Sequence, residues 1–144
     1  MKKIALLLIA AAIVYATFFT EKDRLDREVK RLCAIDGGVK VYETVRLPVE
    51  RFDKYGNIKI ATKRFMKSTD EYYLDYESIF LKEGNPRLVR TTFKVIRSSD
   101  GKSIGESIQY SRSGGDLPGP WHESSFDCPS SPIKLESSIF LKEE

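Results

Sequence analysis

The sequence predicts an α+β protein, in which an N-terminal membrane and juxtamembrane helix precedes an antiparallel sheet of about five strands stapled by one disulfide. Three observations predict this class: an apolar run after two lysines, a helical repeat behind it, and short alternating runs separated by Gly- and Pro-rich turns. The predicted units are 1–20 (signal-anchor or signal peptide), 21–38 (juxtamembrane amphipathic helix) and 39–144 (antiparallel β-rich domain).

Residues 4–19 form the predicted membrane segment. As a helix they would reach about 24 Å, against about 30 Å of bilayer hydrocarbon, and aromatic residues at the end of the run suit the interface. We favour an uncleaved anchor. The alternative is a signal peptide cleaved near Ala16, because Val14 and Ala16 are side chains that signal peptidase accepts before its cleavage site.

The charges around this run give conflicting indications of topology. Lys2 and Lys3 favour a cytoplasmic N-terminus, whereas the basic residues at 22–31 argue weakly for the opposite orientation. We expect the domain to lie outside, because a short apolar run after Met-Lys-Lys is typical of secretory signals. Beyond the two lysines the chain is nearly neutral and its charges look interleaved, so nucleic-acid binding is not expected.

The two cysteines favour a disulfide. Cys33 lies thirteen residues beyond Thr20 and follows Arg31 and Leu32, which is the wrong setting for lipidation. Two Cys and one His, widely scattered, do not form a metal site, while a catalytic thiol with His122 remains an alternative. An export signal with an even cysteine count predicts the pair Cys33–Cys128.

From residue 21 to 35 the apolar positions Leu25, Val29 and Leu32 follow a helical repeat. We expect Gly37 and Gly38 to end this helix with a left-handed cap. Alternation predicts a first strand at 39–46, followed by a helical turn with Val49 and Phe52 pointing inward.

Later runs predict further strands. Residues 72–80 alternate, which predicts one core-facing set: Tyr72, Leu74, Tyr76 and Phe80. Asp100-Gly101 predicts a hairpin whose second arm faces inward at Ile104, Ile108 and Tyr110. A last strand is predicted from the alternation of Ile133, Leu135, Ile139 and Leu141. The hexamer "SIFLKE" occurs at 78–83 and 138–143 without matching flanks, so we infer no duplication.

The long segment 113–132, "SGGDLPGPWHESSFDCPSSP", is predicted to lack regular structure and to be held by Cys128 and by burial of Trp121. The candidate partner-binding residues lie on or beside this segment, and the disulfide should bring Asp36 near the others: Arg112, Asp116, Trp121, His122 and Asp36. The alternative is a structural loop whose tryptophan packs on the sheet and whose charges pair internally. The sequence indicates no catalytic set, metal site or cofactor.

The stretches "LCAIDGGVKVYETV" (32–45) and "GGDLPGPWHESSFDCP" (114–129) resemble those of small uncharacterised exported or membrane-anchored proteins of Gram-negative bacteria. The resemblance covers most of the chain after residue 21. It implies a bacterial inner-membrane protein with its domain in the periplasm, or a periplasmic protein if the segment is cleaved. It implies no activity and no residue roles.

The predicted function is a membrane-anchored binding domain of the cell envelope. Its partners would be the membrane, through residues 4–19, and an envelope or toxin protein. One alternative is a small hydrolase using His122 with Asp116, Asp127 or Asp36, which would require His122 to lie in a pocket beside a carboxylate. The other is a purely structural tether.

Overall fold

The computed structural model describes residues 1–130 and 134–144, except for the side chains of residues 18–20. The first elements are α1 (Lys2–Asp36), β1 (Gly38–Val41), β2 (Val45–Leu47), a 3-10 turn (Val49–Arg51) and β3 (Ala61–Thr62). They are followed by β4 (Tyr72–Lys82), β5 (Arg87–Arg97), β6 (Ser103–Ser113), β7 (Ser125–Cys128), α2 (Leu135–Ile139) and β8 (Phe140–Lys142). The predicted α+β class is confirmed.

Helix α1 is continuous over 35 residues and carries the apolar run at its N-terminal end. It is long and apolar enough to cross a membrane, and it fits a membrane anchor or a signal sequence. Its later part belongs to the domain, because Leu25 and Val29 are buried against the sheet, as their helical spacing predicts.

The main sheet has the order β1-β6-β5-β4-β3, and β7 also pairs with β6. Strands β1 and β7 lie end to end along one edge of β6, at 105–108 and 110–113 respectively. The sheet is mixed rather than purely antiparallel, because the short β3 runs parallel to β4. A second, two-stranded sheet pairs β2 with β8 in parallel.

The two faces of the sheet are covered by different parts of the chain. On one face α1 packs on β6, and the buried residues there are Leu25, Val29, Leu88, Ile108 and Tyr110. On the other face β2, α2 and β8 enclose Leu47, Val95, Ile104, Leu135, Ile139 and Phe140. The three predicted inward positions of the second hairpin arm are all buried, but they do not share one face: Ile108 and Tyr110 face α1, whereas Ile104 lies in the other core beyond a register shift in the β5–β6 pairing.

The disulfide Cys33–Cys128 is present and joins the last turns of α1 to β7. Gly37 makes room for it, since a Cβ at that position would lie 2.6 Å from Cys33 Sγ. A disulfide of this kind suggests an oxidising compartment.

The helix ends at the predicted glycine pair, but only the second glycine has a positive φ. Gly37 is extended (φ −68°, ψ 155°) and donates its N–H to the Cys33 carbonyl at 2.8 Å. The left-handed residue is Gly38, with φ 98°. Glycine at 38 allows the chain to turn directly into β1.

Three of the predicted segments are corrected by the structure. The strand at 39–46 is divided into β1 and β2, Val49 is exposed rather than inward, and the segment 113–132 contains β7. The prediction of a last strand is wrong for 135–139, which is helical, while Ile133 lies outside the described residues. Leu135 and Ile139 are four apart, a spacing that suits one helix face as well as an alternating strand.

The alternation in β4 was interpreted as one core-facing set, and this is only half correct. Tyr72 and Leu74 are partly buried, and the Tyr72 ring packs edge-on against Phe140 at a centroid distance of 5.1 Å. Tyr76 and Phe80 are exposed. The β2, α2 and β8 layer covers only the start of β4, so the same face becomes surface further along.

Gly105→Ala should destabilise the domain by about 1–3 kcal/mol, because cores tolerate added volume poorly. The new Cβ would lie 2.6 Å from Ile139 Cδ1 and 3.2 Å from the Lys40 carbonyl oxygen. Urea unfolding measures the change. In an Ile139→Val background, which removes Cδ1, the alanine should cost less; an equal cost in both backgrounds would contradict this packing explanation.

Candidate interaction surfaces

Arg112 fastens the loop between β6 and β7 to α1. Its guanidinium is buried and donates from Nε to Asp26 Oδ1 at 2.6 Å and from Nη2 to Asp26 Oδ2 at 3.3 Å. From Nη1 it donates to the Gly114 carbonyl at 2.9 Å and to the Ser124 carbonyl and Oγ at 2.9 and 2.8 Å. One cation therefore joins the helix to both ends of the loop.

Asp116 closes the same loop from inside. Lys22 Nζ donates to its Oδ1 at 2.8 Å, and Ser124 donates to it from both N (2.6 Å) and Oγ (2.8 Å). These donors, with Lys22 first, hold the pKa of the Asp116 carboxyl well below its usual range. Gly115 N also donates to Asn85 Oδ1 at 2.6 Å, which ties the loop to the β4–β5 turn.

Trp121 is 55% exposed, so the prediction that its burial holds the loop is wrong. The indole Nε1 donates to the Leu117 carbonyl at 2.8 Å, and the ring lies over Gly119, where a Cβ would collide with it. The loop is held instead by the ion pairs and hydrogen bonds of Arg112 and Asp116 at its base. A concavity of about 220 Å³ lies between Trp121 and the β4–β5 turn.

Asp36 lies far from this loop, at the C-terminal end of the part of α1 that packs on the sheet. Tyr110 Oη donates to its Oδ1 at 2.6 Å and Arg90 Nη2 to its Oδ2 at 3.3 Å, and these bonds lower the pKa of the Asp36 carboxyl. Asp36 and Lys22 are separated by about 21 Å of helix. The disulfide therefore does not bring Asp36 to Asp116, as the sequence analysis expected.

His122 is exposed at the loop surface. Two of the carboxylates considered as its partners, Asp116 and Asp36, are occupied by Lys22 and by Tyr110 and Arg90. Across 1–130 and 134–144 no three His, Cys, Asp or Glu side chains are grouped as metal ligands. The carboxylates of Asp116 and Asp36 therefore hold the loop and the end of α1 in place.

A second surface, which sequence reasoning assigned to the core, lies along β4. Strand β3 pairs with β4 only at Tyr73 and Leu74, and within the described residues no strand pairs with that edge from Asp75 to Lys82. We call this stretch and its apolar neighbours the β4 edge surface; its large exposed apolar side chains are Phe65, Tyr76, Ile79, Phe80 and Leu81. The apolar side chains do alternate along β4, but whether they are buried depends on which other elements cover the strand.

The β4 edge surface adjoins a concavity of about 450 Å³ at the point where the chain leaves β3, between residues 62–65 and 74–76. The neighbouring segment 54–69 contains five basic residues and no acidic one, an exception to the interleaving expected from the sequence: Lys54, Lys59, Lys63, Arg64 and Lys67. Lys63 pairs with Asp75 at 2.9 Å. The surface is thus apolar, and the basic side chains shown at its border are Lys63 and Arg64.

No family model matches the chain, and no match was found among curated proteins or among solved structures. The geometry itself must therefore carry the functional argument.

Asp116→Asn should weaken the acid sensitivity of folding. Because the pKa of Asp116 is lowered in the folded state, its stabilising contribution is full above the unfolded carboxyl pKa and is lost progressively below about pH 4. Asn keeps the shape but not the charge that Lys22 and Ser124 recognise. Urea midpoints at neutral and acid pH should therefore differ less for the variant; an unchanged pH dependence would contradict this assignment.

Proposed function

We propose that this protein is a membrane-anchored interaction domain whose β4 edge surface binds an extended segment of another protein outside the cytoplasm, in the periplasm of a Gram-negative bacterium. The observation that carries the proposal is the unpaired edge of β4 from Asp75 to Lys82, which bears large exposed apolar side chains on both faces of the sheet.

The anchor and the compartment are supported by α1 and the disulfide. The apolar part of α1 continues without a break into the part that packs on the sheet, so an uncleaved helix would hold the domain directly above the bilayer. Cys33–Cys128 persists where thiols are not reduced, which favours an extracytoplasmic location.

An unpaired strand edge is a binding template. Its free N–H and C=O groups can pair with an incoming strand, and side chains alternating above and below supply specificity. In β4 those side chains are Tyr76 and Phe80 on one face and Glu77 and Ile79 on the other. Folded proteins rarely leave a long apolar edge uncovered unless something pairs with it.

The charge beside the edge indicates the chemistry of the partner. Lys63 and Arg64 line the concavity beside β4, and of the five basic residues in 54–69 only Lys63 has an ion-pair partner among the described residues. An extended peptide with alternating apolar residues and acidic flanks would match both the strand and this border.

A second anchored copy is a poorer occupant of the edge. The contacts of β6 with α1 show that β6 runs back toward the membrane-side end of the helix, and β4 runs in the same direction because each is antiparallel to β5. Antiparallel pairing of two β4 strands would therefore invert one anchor relative to the other. This favours a strand from a different protein.

Peptide display tests the proposal directly. Random peptides are selected against the full-length protein in lipid nanodiscs, with empty nanodiscs as the background. We expect recovered sequences to alternate apolar residues and carry acidic flanks, and to bind at least about tenfold more weakly to Tyr76→Glu. Tyr55→Glu, at an aromatic residue that is also exposed, should leave binding unchanged. No enrichment, or equal binding to Tyr76→Glu, would contradict the proposal.

Crosslinking in intact cells supplies the matching observation. A photoreactive residue at Tyr76 should form a discrete adduct that Phe80→Glu removes, whereas the same residue at Tyr55 should not. A purely structural tether predicts no site-dependent adduct, and that outcome would overturn the assignment of β4.

A further inference from the structure

Three contacts between α1 and the β6 strand with its loop establish the direction in which the loop points. Asp36 meets Tyr110, Asp26 meets Arg112, and Lys22 meets Asp116. As the chain proceeds from 110 to 116, its partner on α1 moves from 36 back to 22. The loop tip that follows Asp116 therefore starts at the part of α1 next to its apolar run.

The tip of this loop, residues 117–121, has the composition of an interface contact. Its sequence, "LPGPW", contains no charged residue, and its last member is the only tryptophan of the chain. Trp121 is more than half exposed although its Nε1 is already bonded to the Leu117 carbonyl. An exposed indole whose polar atom is satisfied suits the boundary between headgroups and hydrocarbon, where tryptophan is enriched.

The level along α1 at which the tip begins agrees with that boundary. Lys22 lies three residues beyond Phe19, which is about 4.5 Å along the helix. With residues 4–19 in the hydrocarbon, Lys22 and the Asp116 bonded to it stand at headgroup level, and the tip begins at the next residue, Leu117.

The tip is also held rigidly relative to the helix. Glu21 pairs with Lys82 at 3.1 Å and Lys22 with Asp116 at 2.8 Å, so successive residues of α1 bind the β4–β5 turn region and the loop. Gly114 N donates to the Ser124 carbonyl at 3.0 Å and closes the loop's neck. A loop braced in this way presents its apolar tip without first having to become ordered.

We propose that residues 117–121 lie in the headgroup region of the membrane that α1 crosses, and that Trp121 anchors the domain against the bilayer surface. The contact would set the tilt of the domain and so the direction in which the β4 edge surface faces. This inference rests on the proposed anchoring by α1 and adds a second, separate membrane contact.

The single tryptophan makes the test direct. The full-length protein is placed in nanodiscs with or without phospholipids brominated near the headgroup end of their acyl chains. Trp121 fluorescence should be quenched by the brominated lipid and largely protected from aqueous acrylamide. The control carries Tyr76→Trp with Trp121→Phe, which moves the indole to an exposed position on β4; it should be quenched by acrylamide and not by bromine.

The outcomes separate the two membrane contacts. Copurification of the protein with the nanodiscs reports anchoring by α1 independently of fluorescence. If the protein copurifies but Trp121 behaves like the control, the loop contact is overturned and the anchor stands. If Trp121 is shielded from acrylamide without quenching by bromine, protein rather than lipid covers the tip, which also overturns the proposal. Failure to copurify overturns both.

Discussion

Arg112→Ala is expected to destabilise the domain by about 3–5 kcal/mol, because it leaves a partly buried carboxylate without its partner. Asp26 would lose its two guanidinium bonds, and the Gly114 and Ser124 carbonyls would lose donors in a site that water reaches poorly. Since whole domains are stable by only about 5–15 kcal/mol, this change approaches unfolding. Urea denaturation followed by circular dichroism measures it.

Two further variants keep this prediction testable if Arg112→Ala does not fold. Ser124→Ala should cost less, because Arg112 keeps its bonds to Asp26 and to the Gly114 and Ser124 carbonyls. Arg87→Ala removes an exposed ion pair with Glu123 on the same loop and should cost less than about 1 kcal/mol. Equal losses for Arg87 and Arg112 would show that the buried network does not brace the loop.

Removing the disulfide with Cys33→Ala and Cys128→Ala is expected to cost about 4–5 kcal/mol in the chain-entropy treatment of loop closure. The bond closes a separation of 95 residues and joins α1 to β7, elements that otherwise meet through the contacts around Leu25 and Val29. Chemical unfolding of the double variant against the oxidised protein measures the difference. A loss below about 1 kcal/mol would mean that α1 and β7 stay in contact in the unfolded state even without the disulfide, and would contradict the chain-entropy explanation.

The same bond reports the compartment. In intact cells both cysteines should resist alkylation until a reductant is added, because the pair forms where thiols are oxidised. N-terminal mass measurement of the purified protein then decides between the uncleaved helix and cleavage near Ala16. Rapid alkylation without reductant would place the domain on the reducing side and contradict the proposed topology.

The candidate site was partly accessible from the sequence. The spacing of glycines and prolines indicated a constrained loop at 113–132, and Trp121 and His122 lie on it, but Trp121 is exposed rather than buried as predicted. The sequence could not show that Arg112 turns inward, since its partners Asp26 and Ser124 lie 86 and 12 positions away. Nor could it show that Asp36 and Asp116 are held at opposite ends of the part of α1 that packs on the sheet.

The apolar N-terminal helix, the α1 face of Leu25 and Val29, the Asp100-Gly101 hairpin and the disulfide could all be predicted from the sequence. The helices depend on side chains spaced three or four residues apart, and the hairpin depends on the backbone conformation of its turn. The disulfide could be predicted because the chain has only two cysteines to pair. The β4 edge surface was not readable. Its alternation was correctly seen, but whether a strand face is core or surface depends on what covers it.

The repeated hexamer "SIFLKE" separates the two kinds of information most clearly. At 78–83 it lies in β4 and beyond its end, and Ile79 and Phe80 are exposed; at 138–143 it ends α2 and forms β8, and Ile139 and Phe140 are buried. The local preferences are the same in both places, so sequence by itself determined only that each copy suits an ordered apolar segment. The tertiary structure decided the rest, because the second copy packs beneath Gly105 and pairs with β2, whereas the first lies at an edge beyond β3.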